Sequence, residues 1–246
     1  MNDVYHTLTN RSSIRSYTDQ PVSEAQLTQI IEAVQAAPTS INGQQVTVIS
    51  VQDPVKKAKI AELAGNQAWI AQAPVFLLFC ADFRRAQIAA ELNGQELVIT
   101  TGIESIVVGA TDVGIALGSA MAMASSLGLG TVPIGGARRS PLALIELMEL
   151  PKYVFPVSGL VVGHPADPTH KKHRLPQTAV WHRERYEQEP LPELIRQYDE
   201  EVSAYMRERT GGKESRNWSQ TVSSFYNRIY YPEVRQMLEQ QGFDFK

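Results

Sequence analysis

Apolar residues in "SEAQLTQIIEAVQAAP" fall at Leu27, Ile30, Ile31 and Val34, spacings of three and four that give a helix one apolar face. Ser23 and Gln26 stand three apart at its start, as a capping box requires, and Pro38 lies just past its end. Three shorter runs change the period. "VTVISV" (Val46 to Val51), "VFLLFC" (Val75 to Cys80) and "VSGLVVG" (Val157 to Gly163) are rich in β-branched or aromatic residues and bounded by turn residues, so they predict strands. The second has no polar position at all and is expected to be buried on both faces. The stretch "ESIVVGATDVGIALGSAMAMASSLGLG" is apolar nearly all round with many small residues, which predicts a buried helix that allows close approach. From about Pro190 the pattern turns polar and helical, with "TGGKESRNWSQ" as a loop before the helical "PEVRQMLEQQ".

Composition narrows the class. The 246 residues are 43% hydrophobic and 20% charged, enough for one substantial core with an excursion. Lys and Arg total 23 against 26 Asp and Glu, so no bulk positive field draws in nucleic acid or anionic lipid, and any bound anion must be held locally. The single cysteine, Cys80, ends an apolar run and reads as a small buried hydrophobe rather than a nucleophile. The opening "MNDVYHTLTN" lacks the basic start and apolar run of a signal peptide, and a cytoplasmic protein with no membrane partner is expected.

Several familiar motifs fail. Gly128 and Gly130 in "GLGTVPIGG" are followed by Gly135, which breaks the G-x-G-x-x-G spacing of a dinucleotide-binding turn. P-loop and G-x-S-x-G patterns are absent. His164, Asp167, His170 and His173 recur every three residues, but prolines and lysines between them prevent a helical alignment and repel a cation, so no metal is expected.

Positive charge and hydroxyls do concentrate at two places. "RSSIR" sets Arg11 and Arg15 around Ser12 and Ser13, and "KKHR" sets Lys171, Lys172 and Arg174 after a predicted strand. Either alone reads equally as a solvated basic loop; together with the hydroxyl and amide cluster "PTSINGQQ" they supply the groups that hold a phosphorylated cofactor.

"NRSSIRSYTDQPVS", "APTSINGQQ", "AGNQAWIAQAPVFLLFCADF", "LGLGTVPIGGAR" and "KKHRLP" together, in this order, resemble the nitroreductase superfamily, in particular its flavin reductases and oxygen-insensitive NADPH nitroreductases. The likeness spans residues 1–246 as a single FMN-binding domain, with 190–246 as its helical C-terminal excursion. It implies an α+β sandwich, mainly antiparallel sheet flanked by helices, in a homodimer with FMN as cofactor. Family position by family position, the resemblance assigns Ser13, Arg15, Lys172 and Arg174 to the FMN phosphate and ring, and Gln67 to the ring and ribityl chain. It assigns Thr39, Ser40 and Asn42 to the ring edge or ribityl, and the backbone of Ile134, Gly135 and Gly136 to the ring plane. The family start is usually His-Arg-Ser-x-Arg; here Ser12 stands at the arginine position and the basic group comes one place earlier, at Arg11, so the phosphate contact is open between Arg11 and Ser12. For Ser40 and Asn42 alone, turn chemistry is the competing reading.

The implied activity is FMN-dependent NAD(P)H oxidation with two-electron, ping-pong reduction of flavins, quinones or nitroaromatics, small aromatic acceptors that stack on the ring. No catalytic side chain is implied, because hydride chemistry belongs to the cofactor. The expected donor is NADPH, NADH or both, with the preference left open. Lys213 and Arg216, after the paired glycines of "RTGGKESRNWSQ", match the family's loop for the extra phosphate of NADPH, against a solvated turn as the other reading. A specialised flavoenzyme with another acceptor and a non-catalytic FMN-binding protein are the alternatives. A nucleic-acid binder is disfavoured by the net charge and the few aromatics near "KKHR".

Overall fold

The computed structural model describes residues 2–167 and 171–245. Two units divide it: the first comprises residues up to 170 together with 233 onward, the second residues 171–232.

In the first unit the chain runs α1 (Asp3–Asn10), α2 (Glu24–Gln35), β1 (Val46–Val51), α3 (Pro54–Leu63), α4 (Ala68–Gln72), β2 (Val75–Asp82), α5 (Arg84–Leu92), α6 (Glu104–Ser126), β3 (Gly130–Ile134), α7 (Pro141–Met148) and β4 (Val154–Gly163). The four strands form one sheet in the order β1-β2-β4-β3, every pair antiparallel. β2 is central, and all eight of its residues are buried. Its alternation explains why the run from Val75 to Ala81 is apolar throughout; Asp82, at its end, is buried but paired with Arg85. Val75, Leu77, Phe79 and Ala81 face one hydrophobic layer with Leu27, Ile30 and Val34 of α2 and Val113, Ala116, Ala120 and Ala124 of α6. Phe76, Leu78 and Cys80 face the other, with Ile60 of α3, Ile70 of α4 and Leu144 of α7. Each of these fully buried large side chains contributes about 1.5–3 kcal/mol relative to exposure.

α2 starts on the expected capping box: the Gln26 N–H donates to Ser23 Oγ at 3.2 Å, and the Ser23 N–H donates to Gln26 Oε1 at 3.0 Å. Such a cap is worth about 1 kcal/mol. α6 differs from its expectation of burial all round. Only one stripe, including Gly109, Asp112, Ala116, Ala120 and Ala124, meets the protein interior; Val107 and Ile115 are exposed on other faces, as is Ile103 just before the helix. By length and composition α6 is apolar enough to cross a membrane, but its small-residue stripe packs on the sheet.

β3 carries Gly130 and Pro133, breakers that hid it from the hydrophobic pattern; at the edge of the four-stranded sheet, with only a short bridge from Ser13 on its far side, it tolerates the proline. β4 carries Pro156 opposite Cys80, where the β2–β4 register shifts. The bulge leaves Val157 out of the ladder, and its carbonyl accepts from Arg138 Nη1. The C-terminal helix α10 (Val234–Gln240, labelled here after α8 and α9 of the second unit) and Phe243 complete the first unit. The Phe243 ring is fully buried and packs edge-on against Phe83, Tyr153 and Phe155.

The second unit contains α8 (Leu191–Thr210) and α9 (Trp218–Tyr226), in contact with each other. α8 ends on Gly211 in the left-handed conformation, and α9 begins with a second capping box, Asn217 and Gln220.

Candidate functional site

The stretch after α1 is held extended by the sheet. Ser13 bridges Thr131, and the Ile14 N–H donates to the Thr131 carbonyl at 3.0 Å. Further on, the Thr18 N–H donates to the His164 carbonyl at 2.9 Å. Ile14 is buried while its neighbours Ser13 and Arg15 turn the other way, the alternation of a strand put to use in a two-residue bridge. Arg11 and Ser12 line a cavity of about 190 Å³ with Gly128, Gly130 and Pro165. The Nε of Arg11 is buried and has no hydrogen-bond partner among the described residues. An unmatched guanidinium donor of this kind costs about 1–3 kcal/mol or more unless an acceptor meets it.

A second group forms around α4. Gln67 is its N-cap residue, and Gln67 Nε2 donates to the Ala64 carbonyl at 2.8 Å. A Cβ on Gly136 would lie 2.4 Å from that carbonyl oxygen and 2.5 Å from Gln67 Nε2, so only glycine lets the turn after β3 close on residues 64–67. The tight contact at Gly136 is thus with the protein's own backbone. Ile134 sends its side chain into the core. Arg15 is exposed, with its guanidinium carbon 5.4 Å from the Trp69 ring centroid.

Thr39, Ser40 and Asn42 lie in a loop with its own bonds. Thr39 Oγ1 accepts from the Gln44 N–H at 3.1 Å, and the Ser40 N–H donates to Asp112 Oδ2 of α6 at 3.1 Å. Ile41, Asn42 and Gln44 all have positive φ, at 50°, 55° and 51°. For a β-branched residue such as Ile41 this is an outlier, and each such residue stores about 1–3 kcal/mol of strain. Thr39, Asn42 and Gln44 line a cavity of about 350 Å³ together with Arg85 and Ala116.

In the second unit two stretches far apart in sequence converge. Lys172, Arg174 and Arg216 line one cavity of about 550 Å³ with Tyr205, Arg209 and Trp218. The His173 carbonyl between the two basic residues accepts from the Tyr198 hydroxyl at 2.8 Å, and Arg174 Nη1 donates to the His173 carbonyl at 3.2 Å. Arg209 stands over the Tyr205 ring at 5.6 Å, and the buried Tyr205 hydroxyl has no partner among the described residues. With four cationic side chains against Glu214, the cavity favours an anion that also offers an aromatic face. Lys213 is exposed and does not line it. The loop that carries Lys213 and Arg216 is pinned at the Glu214 N–H, which donates to Thr210 Oγ1 at 2.9 Å, and at the Ser215 carbonyl, which accepts from Ser203 Oγ at 2.8 Å. Of the His164, Asp167, His170 and His173 series, His170 lies outside the described residues, as does Thr169 of "THKKHRLP". Among the described residues there is no group of three or more His, Cys, Asp or Glu able to hold a metal.

The pattern of the nitroreductase family matches residues 8–164, and that of the nitroreductase family C-terminal domain matches residues 172–246. The chain belongs to the nitroreductase family. Within it, a Bacillus subtilis FMN reductase [NAD(P)H] is 65% identical, covering 99% of this chain and 98% of that protein. The Salmonella typhimurium oxygen-insensitive NADPH nitroreductase is 34% identical over 99% of both chains. Among solved structures, Bacillus megaterium NfrA2 superposes with a TM-score of 0.98 at 63% identity, covering 100% of both chains. The Vibrio harveyi NADPH:FMN oxidoreductase complexed with NAD+ gives a TM-score of 0.88 at 32% identity, covering 98% of both. The nitroreductase α+β fold is therefore established for this chain.

Trp69, Arg85, Asp112, Tyr198 and Tyr205 escaped the sequence reading. Only Asp112 left a usable signal there: one carboxylate in the middle of an apolar helix is too costly to be idle. For the others the contacts that matter at the site come from distant residues: Arg85 with Gln44 and Val46, Trp69 with Arg15, and Tyr198 and Tyr205 with His173.

Proposed function

We propose that this member of the nitroreductase family is an FMN-dependent NAD(P)H oxidoreductase that reduces flavins, quinones or nitroaromatics. Its relatives' names, FMN reductase [NAD(P)H], NADPH-flavin oxidoreductase and NADPH nitroreductase, support the activity and the cofactor. The observation on this chain that carries the reading is the buried Nε of Arg11, unpartnered among the described residues and close in sequence to the bridge-held Ser13, a donor that a phosphate oxygen would satisfy. The residues present fit FMN in this respect, and also in the basic lining supplied by Lys172 and Arg174.

In the first unit the proposed FMN ligands are Arg11, Ser12, Ser13, Arg15, Thr39, Ser40, Asn42, Gln67 and the backbone of Ile134, Gly135 and Gly136; in the second unit, taken by itself, Lys172 and Arg174 are proposed to meet the FMN phosphate. FMN held there would supply two-electron hydride chemistry between a nicotinamide and an acceptor. The protein's part is binding and electrostatics. Arg15 carries a positive charge braced by Trp69 and would offset negative charge on a reduced ring held there. Gln67 is held through Nε2 by the Ala64 carbonyl, which leaves its Oε1 as an acceptor not used among the described residues. Lys213 and Arg216 are proposed to meet the nicotinamide nucleotide.

The whole chain is proposed to act as one FMN-binding domain, in the cytoplasm, and as a homodimer. α1 packs on α6, and between them they expose Val4, Tyr5, Leu8, Ile103, Val107 and Ile115, an apolar surface that a second copy would cover. The visible spectrum of the purified protein tests the reading directly: a flavin spectrum that bleaches anaerobically with NADPH or NADH is expected, and a colourless protein that gains no colour from added FMN overturns it.

A further inference from the structure

The loop from Thr39 to Gln45 gives the fold little in return for its strain. Ile41, at its tip, holds a positive φ and is 97% exposed, so no packing is gained there. What keeps the loop in shape is charge from two helices. Asp112 of α6, only 3% exposed, accepts from the Ser40 N–H at 3.1 Å and from Gln45 Nε2 at 2.7 Å. On the other leg, Arg85 of α5 donates through Nη2 to the carbonyls of Gln44 at 2.6 Å and Val46 at 2.8 Å, and is itself held by Asp82 at 2.9 Å. Gln45 links the Asp112 anchor to the turn: a Cβ on Gly43 would lie 2.2 Å from Gln45 Oε1, so the carboxamide fills the space that the glycine leaves.

A buried carboxylate is a poor choice for stability alone, since apolar residues of similar volume serve a helix–sheet contact at least as well. Its two partners both lie in the strained loop, and the polar groups of Thr39, Ser40 and Asn42 are what that loop presents. Strain retained by dedicated anchors is the mark of a segment whose shape is used.

We infer that Asp112 is a positioning residue for the flavin ring: it fixes the Thr39–Gln45 loop in its strained form so that Thr39, Ser40 and Asn42 meet the ring edge or ribityl chain. The inference rests on the FMN reading above and adds to it a residue that touches no cofactor.

The test is a titration of the full-length chain, stripped of flavin, with FMN and with riboflavin, followed by quenching of flavin fluorescence. Asp112→Asn removes one acceptor and the charge. It should raise the dissociation constants of FMN and riboflavin by the same factor, about tenfold for one lost charge-assisted contact. Arg174→Ala should raise that of FMN alone, because riboflavin has no phosphate. Gly43→Ala keeps a permitted φ of −71° and displaces the Gln45 carboxamide, with the Ser40 carbonyl oxygen 3.1 Å from the new Cβ, so it should give a smaller rise of the same kind even where Asp112→Asn folds poorly. If both Asp112→Asn and Gly43→Ala bind both flavins as tightly as the parent while Asn42→Ala weakens both, the positioning role is overturned and the flavin site stands. If Asn42→Ala also leaves both unchanged, the flavin reading of the loop falls and the inference with it.

Discussion

The guanidinium of Arg15 stands 5.4 Å from the centre of the Trp69 ring, at the start of the segment that the sheet holds extended. The pairing gives an exposed arginine a fixed direction through the ring's negative face. Replacing Arg15 with Gln should therefore lower the midpoint potential of bound flavin. Losing one charge-assisted interaction of about 1.5–3 kcal/mol corresponds to about 30–65 mV for a two-electron couple. Trp69→Leu keeps the charge and should shift it less. A spectroelectrochemical titration reads both, and an unchanged potential in Arg15→Gln would remove this residue from the ring.

Lys172 and Arg174 flank the carbonyl that Tyr198 holds. Changing both to Ala should give a protein that purifies mostly without flavin, each lost contact weakening binding by about 1.5–3 kcal/mol. Flavin content from absorbance after gel filtration decides it. Full occupancy in the double variant would mean the phosphate is held elsewhere.

Arg216 lines the basic cavity and Lys213 stands on the same loop outside it. Lys213→Ala with Arg216→Ala should raise the KM for NADPH about tenfold or more and change that for NADH little, one charged contact being worth about 1.5–3 kcal/mol. Arg216→Ala alone should account for most of the change. An equal loss with both nucleotides would show that the loop does not read the phosphate.

One flavin face serving donor and acceptor in turn requires parallel double-reciprocal lines at several fixed acceptor concentrations. Intersecting lines would require a ternary complex and rule out the shared face, without touching the cofactor assignment.

Alkaline pH should find the fold's titratable weak points. Burial pushes the Cys80 thiol up from its ordinary 9.0, helped by Asp82, and burial pushes the Tyr17 hydroxyl up from 10.0, opposed in part by Arg15. Both folded-state values are raised, so their stability is fully present below the unfolded values and is lost as pH rises. Above about pH 9 the unfolded chain releases protons that the folded chain keeps, and stability falls by up to about 1.4 kcal/mol per pH unit for each group. Urea midpoints should stay level for these groups from pH 7 to about 8.5 and drop beyond it; Cys80→Ala should remove the earlier part of the drop.

The parts of the fold that announced themselves were those with one dominant pattern. α2 was visible with its cap and three of its four predicted core residues, because Leu27, Ile30 and Val34 repeat at helical spacing. β1 matched its predicted ends because its neighbours are turn residues, and β2 and β4 were found but extended further, to Asp82 and back to Val154. β3 was missed because pairing with β4, a long-range contact, overrides its glycine and proline. α6 misled in the opposite direction: a sequence cannot say which apolar face meets the chain's own sheet and which is left over. At the site, the family likeness marked the serines and basic residues, whereas Asp112 with Ser40, seventy-two positions apart, and Tyr198 with His173 are visible only when the chain is folded.

Phe243 closes a socket made by Phe83, Tyr153 and Phe155, and it is reached only after the whole second unit has been threaded. During synthesis those three rings therefore leave the ribosome long before their fourth wall. Until residue 243 emerges, the first unit carries an open aromatic pit, and over all of the second unit's synthesis the nascent chain offers it to aggregation and chaperone capture.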